Sequence, residues 1–172
     1  MSHNEPTPSP APAARSLAGK YLTFALSREE YGLPVLKVRE IIKMMDITAV
    51  PQVPAAIRGV MNLRGKVIPV IDLRVKFGFE AQEYTARTCI IVVEIAMGHE
   101  RTLMGIIVDH VSEVLNIAPD EIGPVPEFGD GVETTNMTGI ATVKGQVKVL
   151  VDLDCVLGTD GSSAGGWNGA SQ

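Results

Sequence analysis

The sequence predicts a mainly β protein built as a doubled small barrel, and three observations point that way. Apolar residues make up 45% of the 172 but aromatics only 5%, so Val and Ile do most of the apolar work. Such β-branched side chains fit a pleated, half-buried surface better than a helix. Short apolar runs recur with turn residues between them, the spacing of a barrel or sandwich. Finally, "GVMNLRGKVIPVIDLRVKFG" (59–78) returns 80 residues later as "GIATVKGQVKVLVDLDCVLG" (139–158).

Taken in order, residues 1–18 are rich in Pro, Ala, Ser and Thr. They bury too little apolar surface to offset the entropy of ordering, and they read as a disordered leader. Predicted strands follow at 21–26, 31–33, 35–42, 59–63 and 67–73, then at 88–95, 102–108, 111–117, 139–143 and 147–153. Alternation is clearest in the last strand. There Val147, Val149, Val151 and Leu153 take one face, and Lys148, Leu150, Asp152 and Asp154 the other. Two short helices are predicted: "LRVKF", capped by Asp72 and stopped at Gly78, and "CVL", capped by Asp152 or Asp154 and stopped at Gly158. A third helical stretch is expected around "PAAIRG", with Pro54 in its first turn. Residues 159–172 read as a flexible tail, with Trp167 incidental to it.

The two copies align without a gap. Gly59, Gly65, Val67, Asp72, Leu73 and Gly78 fall on Gly139, Gly145, Val147, Asp152, Leu153 and Gly158, and Arg64 falls on Lys144. An earlier pair, "YGLPVLKVREII" (31–42) and "MGIIVDHVSEVL" (104–115), agrees at a smaller offset and sets Gly32, Val38 and Glu40 on Gly105, Val111 and Glu113. The acidic, Pro/Gly-rich connection 116–137 takes up the difference. This period is too long for a solenoid and suits a duplicated barrel of roughly five strands. Each half is near the lower size limit for stability alone, so the two are expected to share a hydrophobic interface. "NLRGKV" is then a hairpin tip with Gly65 at positive φ. Asn-Gly would be the comfortable chemistry there, so Arg64 is either a solvated tip residue, a tie between loops or a contact for a partner.

Composition narrows the function. The net charge is −5 and no basic stripe with interleaved aromatics is present, which leaves nucleic-acid binding without support. Apolar runs such as 89–93 are far short of the roughly 20 residues that span a bilayer, and the N-terminus lacks the apolar region of a secretory signal. Cys89 and Cys155 lie in apolar, strand-like surroundings and read as buried reduced thiols, so a soluble cytoplasmic protein is expected. His3, His99 and His110 are far apart, no Cys-x-x-Cys occurs, and His110 reads as a surface residue beside a strand; a metal site is not expected. No Gly-x-Ser-x-Gly elbow or phosphate-cradling loop is present. Asp72 and Asp152 occupy equivalent points and offer an acid dyad on paper, but helix capping explains both. Interaction remains. "VLKVREIIKMM" (35–45) carries apolar residues on both faces and ends in Met44 and Met45, read as exposed. Val38 and Ile41 beside Glu40, Arg58 and Arg64 form a candidate apolar patch rimmed by charge.

"YGLPVLKVREI", "IRGVMNLRGKVIPVIDLRVKFG" and "GIIVDHVSEVL" closely resemble the CheW family of chemotaxis adaptors, over roughly residues 20–158. The resemblance implies two pseudo-symmetric, interleaved SH3-like five-stranded β-barrels around a shared core within residues 19–158. It also implies an adaptor rather than an enzyme, with no cofactor, coupling chemoreceptors to the histidine kinase CheA. The family's receptor-gripping positions fall on Val38, Glu40, Arg58, Arg64 and Val114, with Arg58 standing where Lys is frequent, and Ile41 is expected to join Val38 and Val114 in the apolar strip that receives the receptor. The implied partners are the receptor's cytoplasmic tip and the regulatory domain of CheA, the latter met barrel against barrel at residues the resemblance does not assign. The implied location is the cytoplasm, at membrane-associated receptor arrays, with no membrane insertion. Which receptors and which CheA-like pathway it serves stays open.

Overall fold

The computed structural model describes residues 18–80, 83–126 and 137–157. The expected leader (apart from Ala18), the tail with Trp167, the stop at Gly158 and part of the long connection lie outside the described residues. In chain order the strands are β1 (Gly19–Leu26), β2 (Glu29–Pro34), β3 (Val38–Lys43), β4 (Ile57–Leu63), β5 (Lys66–Asp72) and β6 (Cys89–Met97). After them come β7 (Glu100–Val108), β8 (His110–Ile117), β9 (Ile122–Gly123), β10 (Met137–Val143) and β11 (Gln146–Val151). Helix α1 is Leu73–Lys76, and a second turn, α2, covers 153–157.

The strands form two sheets, a terminal sheet ordered β8-β1-β2-β11-β10-β9 and a central sheet ordered β3-β6-β7-β5-β4. The sequence repeat equates β2 with β7, β3 with β8, β4 with β10 and β5 with β11. Under that equivalence the two orders are the same, β9 being a two-residue addition. Even the parallel pairing matches, since Val70 lies opposite Gly105 and Leu150, its equivalent, opposite Gly32. Each copy therefore lends its first hairpin to the other copy's sheet.

Burial follows from that exchange. Successive strand residues point to opposite faces, and both faces here are buried. Ile91 and Ile106 enter a core shared between the sheets, with Phe24, Leu26, Leu33, Ile71 and Val151. Their neighbours Ile90, Val92 and Ile107 enter a second core inside the central sheet. Tyr21, Ile117 and Leu150 do the same inside the terminal sheet. This is the burial pattern of sheets curled about their own interiors and packed together.

The duplicated hairpin tips are two-residue turns, because Leu63 pairs Lys66 and Val143 pairs Gln146. Both central residues have positive φ: Arg64 at 53° and Gly65 at 89°, Lys144 at 53° and Gly145 at 79°. This is type I′ geometry, which matches the strand twist but strains a residue with a Cβ by about 1–2 kcal/mol. Positive φ is thus not confined to the glycine, as the sequence suggested. Asn62 Oδ1 accepts from Gly65 N at 2.9 Å and steadies the tip.

Helix α1 is capped as expected, with Asp72 Oδ1 accepting from Arg74 N at 3.0 Å. It closes with Gly78 N donating to Val75 O and Phe79 N to Arg74 O, the paired bonds of a Schellman end around Gly78 at φ 87°. Four expectations are corrected. The 35–42 strand is broken by a 3-10 turn at Val35–Lys37 after Pro34. "PAAIRG" forms no helix; Pro54 O accepts one turn bond from Ile57 N, and β4 begins at once, leaving too few residues to nucleate a helix. The last strand stops at Val151 rather than running to Leu153, and its alternation does not track burial: Lys148 and Leu150 are buried on one face, while on the other Val147 is exposed and Val151 buried. Cys155 lies on α2 rather than a strand; neither cysteine is in a disulfide, both are half-buried, and burial pushes the Cys89 thiol up.

Candidate interaction site

Bulges place the candidate residues. At equivalent positions the edge strands β3 and β8 each hold one extra residue, Arg39 and Ser112, where their registers shift. Past its bulge Glu40 lies opposite Val92, on the interior face of the central sheet, and it ion-pairs with Arg64 at the hairpin tip. Val38, before the bulge, lies opposite Val93 and packs half-buried on the shared core. Ile41 lies opposite Ile91, also a shared-core residue, yet is 45% exposed. Its repeat equivalent is Val114, which lies opposite Leu22 of the same core and is 55% exposed. The two sheets thus present matching apolar side chains on the shared-core faces of their edge strands.

Not every candidate converges. Arg58 sits at the other end of β4 from Arg64, roughly 20 Å away at the rise of an extended strand. Its Nη2 lies 3.5 Å from Asp72 Oδ2, while its buried Nε has no hydrogen-bond partner. Together with Met44, Met45 and Ile47 it walls a separate cleft. The two methionines are half-buried against the central-sheet core rather than exposed, so they fill space there.

Arg58 borders a charge cluster that the sequence did not reveal. Asp72 is 0% exposed and Arg74 3%. Arg74 donates through Nε and Nη2 to the two Asp72 oxygens at 3.0 Å each, and through Nη1 to Asp109 Oδ1 at 3.1 Å. Asp109 Oδ2 in turn accepts from Ser27 N at 2.6 Å, so α1 is tied to the β7–β8 junction and to the β1–β2 turn. The Asp72 hydrogen bond leads in raising the Arg74 pKa further above its usual value, and Tyr84 lies 5.3 Å from the guanidinium. The second copy inverts the charge: Asp154, equivalent to Arg74, accepts from Lys37 Nζ at 2.8 Å and from Ala96 N at 3.0 Å. Burial opposes ionisation of Asp154, but those bonds outweigh it and hold the carboxyl below its usual value. Asp152 Oδ1 accepts from Cys155 N at 3.2 Å. Both repeat aspartates therefore act as helix caps, and Asp72 is gripped by arginines besides. His110 opens β8, half-buried opposite Ala25.

Around the Glu40–Arg64 pair a concavity of about 660 Å³ opens at the central sheet. On its rim Glu94 ion-pairs with Arg39 and, at 3.5 Å, with Arg101; the Arg39 hydrogen bond leads in holding the Glu94 carboxyl below its usual value. Among exposed apolar residues the sequence missed Leu36, which projects from the 3-10 turn, and the equivalent pair Val67 and Val147 just past the tips.

A duplicated two-sheet β protein with strand-exchanged halves and paired apolar edges belongs to the class of small β modules that bind other proteins. The CheW-like domain model matches residues 20–160, and the chain belongs to that family. It is 36% identical over 148 residues to the chemotaxis protein CheW of Klebsiella aerogenes, covering 86% of this chain and 87% of that one. To the CheW of Helicobacter pylori it is 38% identical over 142 residues, 82% of each. The crystal structure of the scaffolding protein TtCheW from Thermoanaerobacter tengcongensis superposes with a TM-score of 0.71 at 36% identity, covering 81% of this chain and 92% of that one.

Proposed function

We propose that this chain is a non-enzymatic chemotaxis adaptor, with residues 19–158 as the working unit, that couples chemoreceptors to the histidine kinase CheA. The observation that carries the reading is the Glu40–Arg64 pair at the open rim of the central sheet. Arg64 occupies a strained backbone position that Asn or Gly would fill at lower energy, yet the tip spends that strain on an exposed guanidinium. Ile41 and Val114, with the half-buried Val38, supply apolar surface for the receptor's cytoplasmic tip, while Glu40, Arg64 and the more distant Arg58 fix its register by charge. The regulatory domain of CheA is the second partner, at contacts not yet assigned to residues. Individual contacts of about 1–3 kcal/mol suffice when many copies assemble in an array, because the second contact of a linked pair forms at high effective concentration. No helix among the described residues is long and apolar enough to cross a membrane. The adaptor works in the cytoplasm and reaches the membrane through its receptors.

Arg64→Glu is expected to keep the parent's melting midpoint and to lose receptor control of kinase activity on receptor-bearing membranes with purified CheA. Full activation by a folded Arg64→Glu protein would end the assignment. Arg64→Gly separates contact from backbone. It removes the Cβ strain and is expected to raise stability by about 1 kcal/mol, read as a higher melting midpoint, while coupling falls.

A further inference from the structure

The two sheets treat one end of their interiors differently at equivalent positions. In the terminal sheet, Lys148 and Glu30 stand where the central sheet has Ile68 and Leu103. Lys148 is 3% exposed; its Nζ lies 3.3 Å from Glu30 Oε1 and 3.4 Å from Gln146 Oε1. Ser112 Oγ donates to Glu30 Oε2 at 2.8 Å. That end is filled by the chain's own polar side chains. In the central sheet, Ile68 and Leu103 instead join Leu63 and Val92 in an apolar floor beneath the 660 Å³ concavity.

The rim above this floor has a sign. Arg39, Arg64, Lys66 and Arg101 face Glu40 and Glu94, four cations to two anions, on a chain whose net charge is −5. The arginines are well exposed, at 57%, 70% and 78% of their side chains, while Glu40 at 30% and Glu94 at 16% are more sheltered, so the outer edges of the guanidiniums face solvent. An arriving carboxylate can engage the free N–H groups of Arg64 or Arg101 while Glu94 keeps Arg39, and the planar fork suits a carboxylate in particular.

We infer that this concavity receives an acidic segment of the receptor's cytoplasmic tip. One apolar side chain settles on the Leu63–Ile68–Val92–Leu103 floor, and flanking carboxylates engage Arg64 and Arg101. The inference rests on the adaptor reading and adds to it the chemistry of the receptor segment, together with Lys66 and Arg101 as specificity-determining residues. Charge complementarity selects this occupant, because the excess positive charge is local while the rest of the surface is acidic overall.

The test uses the full chain and a double variant, Lys66→Glu with Arg101→Glu. Each is titrated against a soluble receptor cytoplasmic fragment containing the tip and, separately, against purified CheA, at low and high salt. Both substituted residues are exposed, and an unchanged melting midpoint certifies the fold. The expected result is a loss of receptor-fragment affinity of about tenfold or more at low salt, a flatter salt dependence than the parent shows, and unchanged kinase binding. Receptor binding as tight as the parent's overturns the inference and leaves the adaptor reading intact. A loss confined to kinase binding overturns it too, by assigning the concavity to the other partner. If the parent binds neither protein, the adaptor reading itself falls, and the inference with it.

Discussion

Replacing Asp72 with Ala is expected to lower the melting midpoint by roughly 10 °C. Asp72 is completely buried and holds both a helix cap and the guanidinium of Arg74, itself 3% exposed. Removing one member of a buried ion pair strands the other, a loss of about 3–5 kcal/mol, and for a domain of this size each kcal/mol moves the midpoint by about 2–4 °C. Asp109 still holds one nitrogen of Arg74, which sets the loss toward the lower end. Asp72→Asn keeps an acceptor for the cap and is expected to fall between the two. Adding Arg74→Met to Asp72→Ala is expected to restore much of the loss, because no charge is then left buried alone. Thermal melts of the three variants check this; a midpoint for Asp72→Ala within a degree or two of the parent's would refute the stranded-charge account.

Gly59→Ala is expected to cost on the order of 3 kcal/mol through the backbone alone. Gly59 has φ 140°, and a Cβ there would lie 1.9 Å from Thr48 O and 2.7 Å from Thr48 C. Backbone atoms cannot rotate away as a side chain would. The segment carrying Thr48 must lift off β4, breaking the reciprocal bonds Thr48 N to Val60 O at 2.8 Å and Val60 N to Thr48 O at 2.9 Å. Hydrogen exchange at the Thr48 and Val60 amides is the direct measurement, with both expected to lose protection. Gly65→Ala is the control: its φ is 89° but nothing lies within 4 Å of the new Cβ, so strain alone operates and the loss is smaller. Equal losses at the two glycines would rule out the clash.

Much of this was readable beforehand because it is local or periodic. The Arg-Gly tip, the Asp72 cap and the Gly78 stop are each decided by a few neighbouring residues, and the internal repeat fixed the equivalences between strands. What the sequence hid depends on pairing across long separations. Nothing near Arg74 announces Asp109, and nothing near Lys148 announces Glu30, because β5 meets β7, and β11 meets β2, only after folding. The candidate site was legible as residues but not as geometry. Glu40 and Arg64 come together, Ile41 and Val114 match by symmetry, and Arg58 stands at the far end of its strand.

The exchange of hairpins between copies also orders events during synthesis. The central sheet is drawn from residues 38–108 alone and can assemble once Val108 has emerged. The opening hairpin cannot settle then, because its parallel neighbour β11 ends at Val151. Tyr21, Leu22, Phe24 and Leu33, all deeply buried at the end, wait for those last residues, a delay of several seconds at a ribosome's pace of about 5–20 residues per second. A nascent chain paused in that interval carries an open strand edge and an uncovered greasy hairpin, the species a holding chaperone is expected to meet.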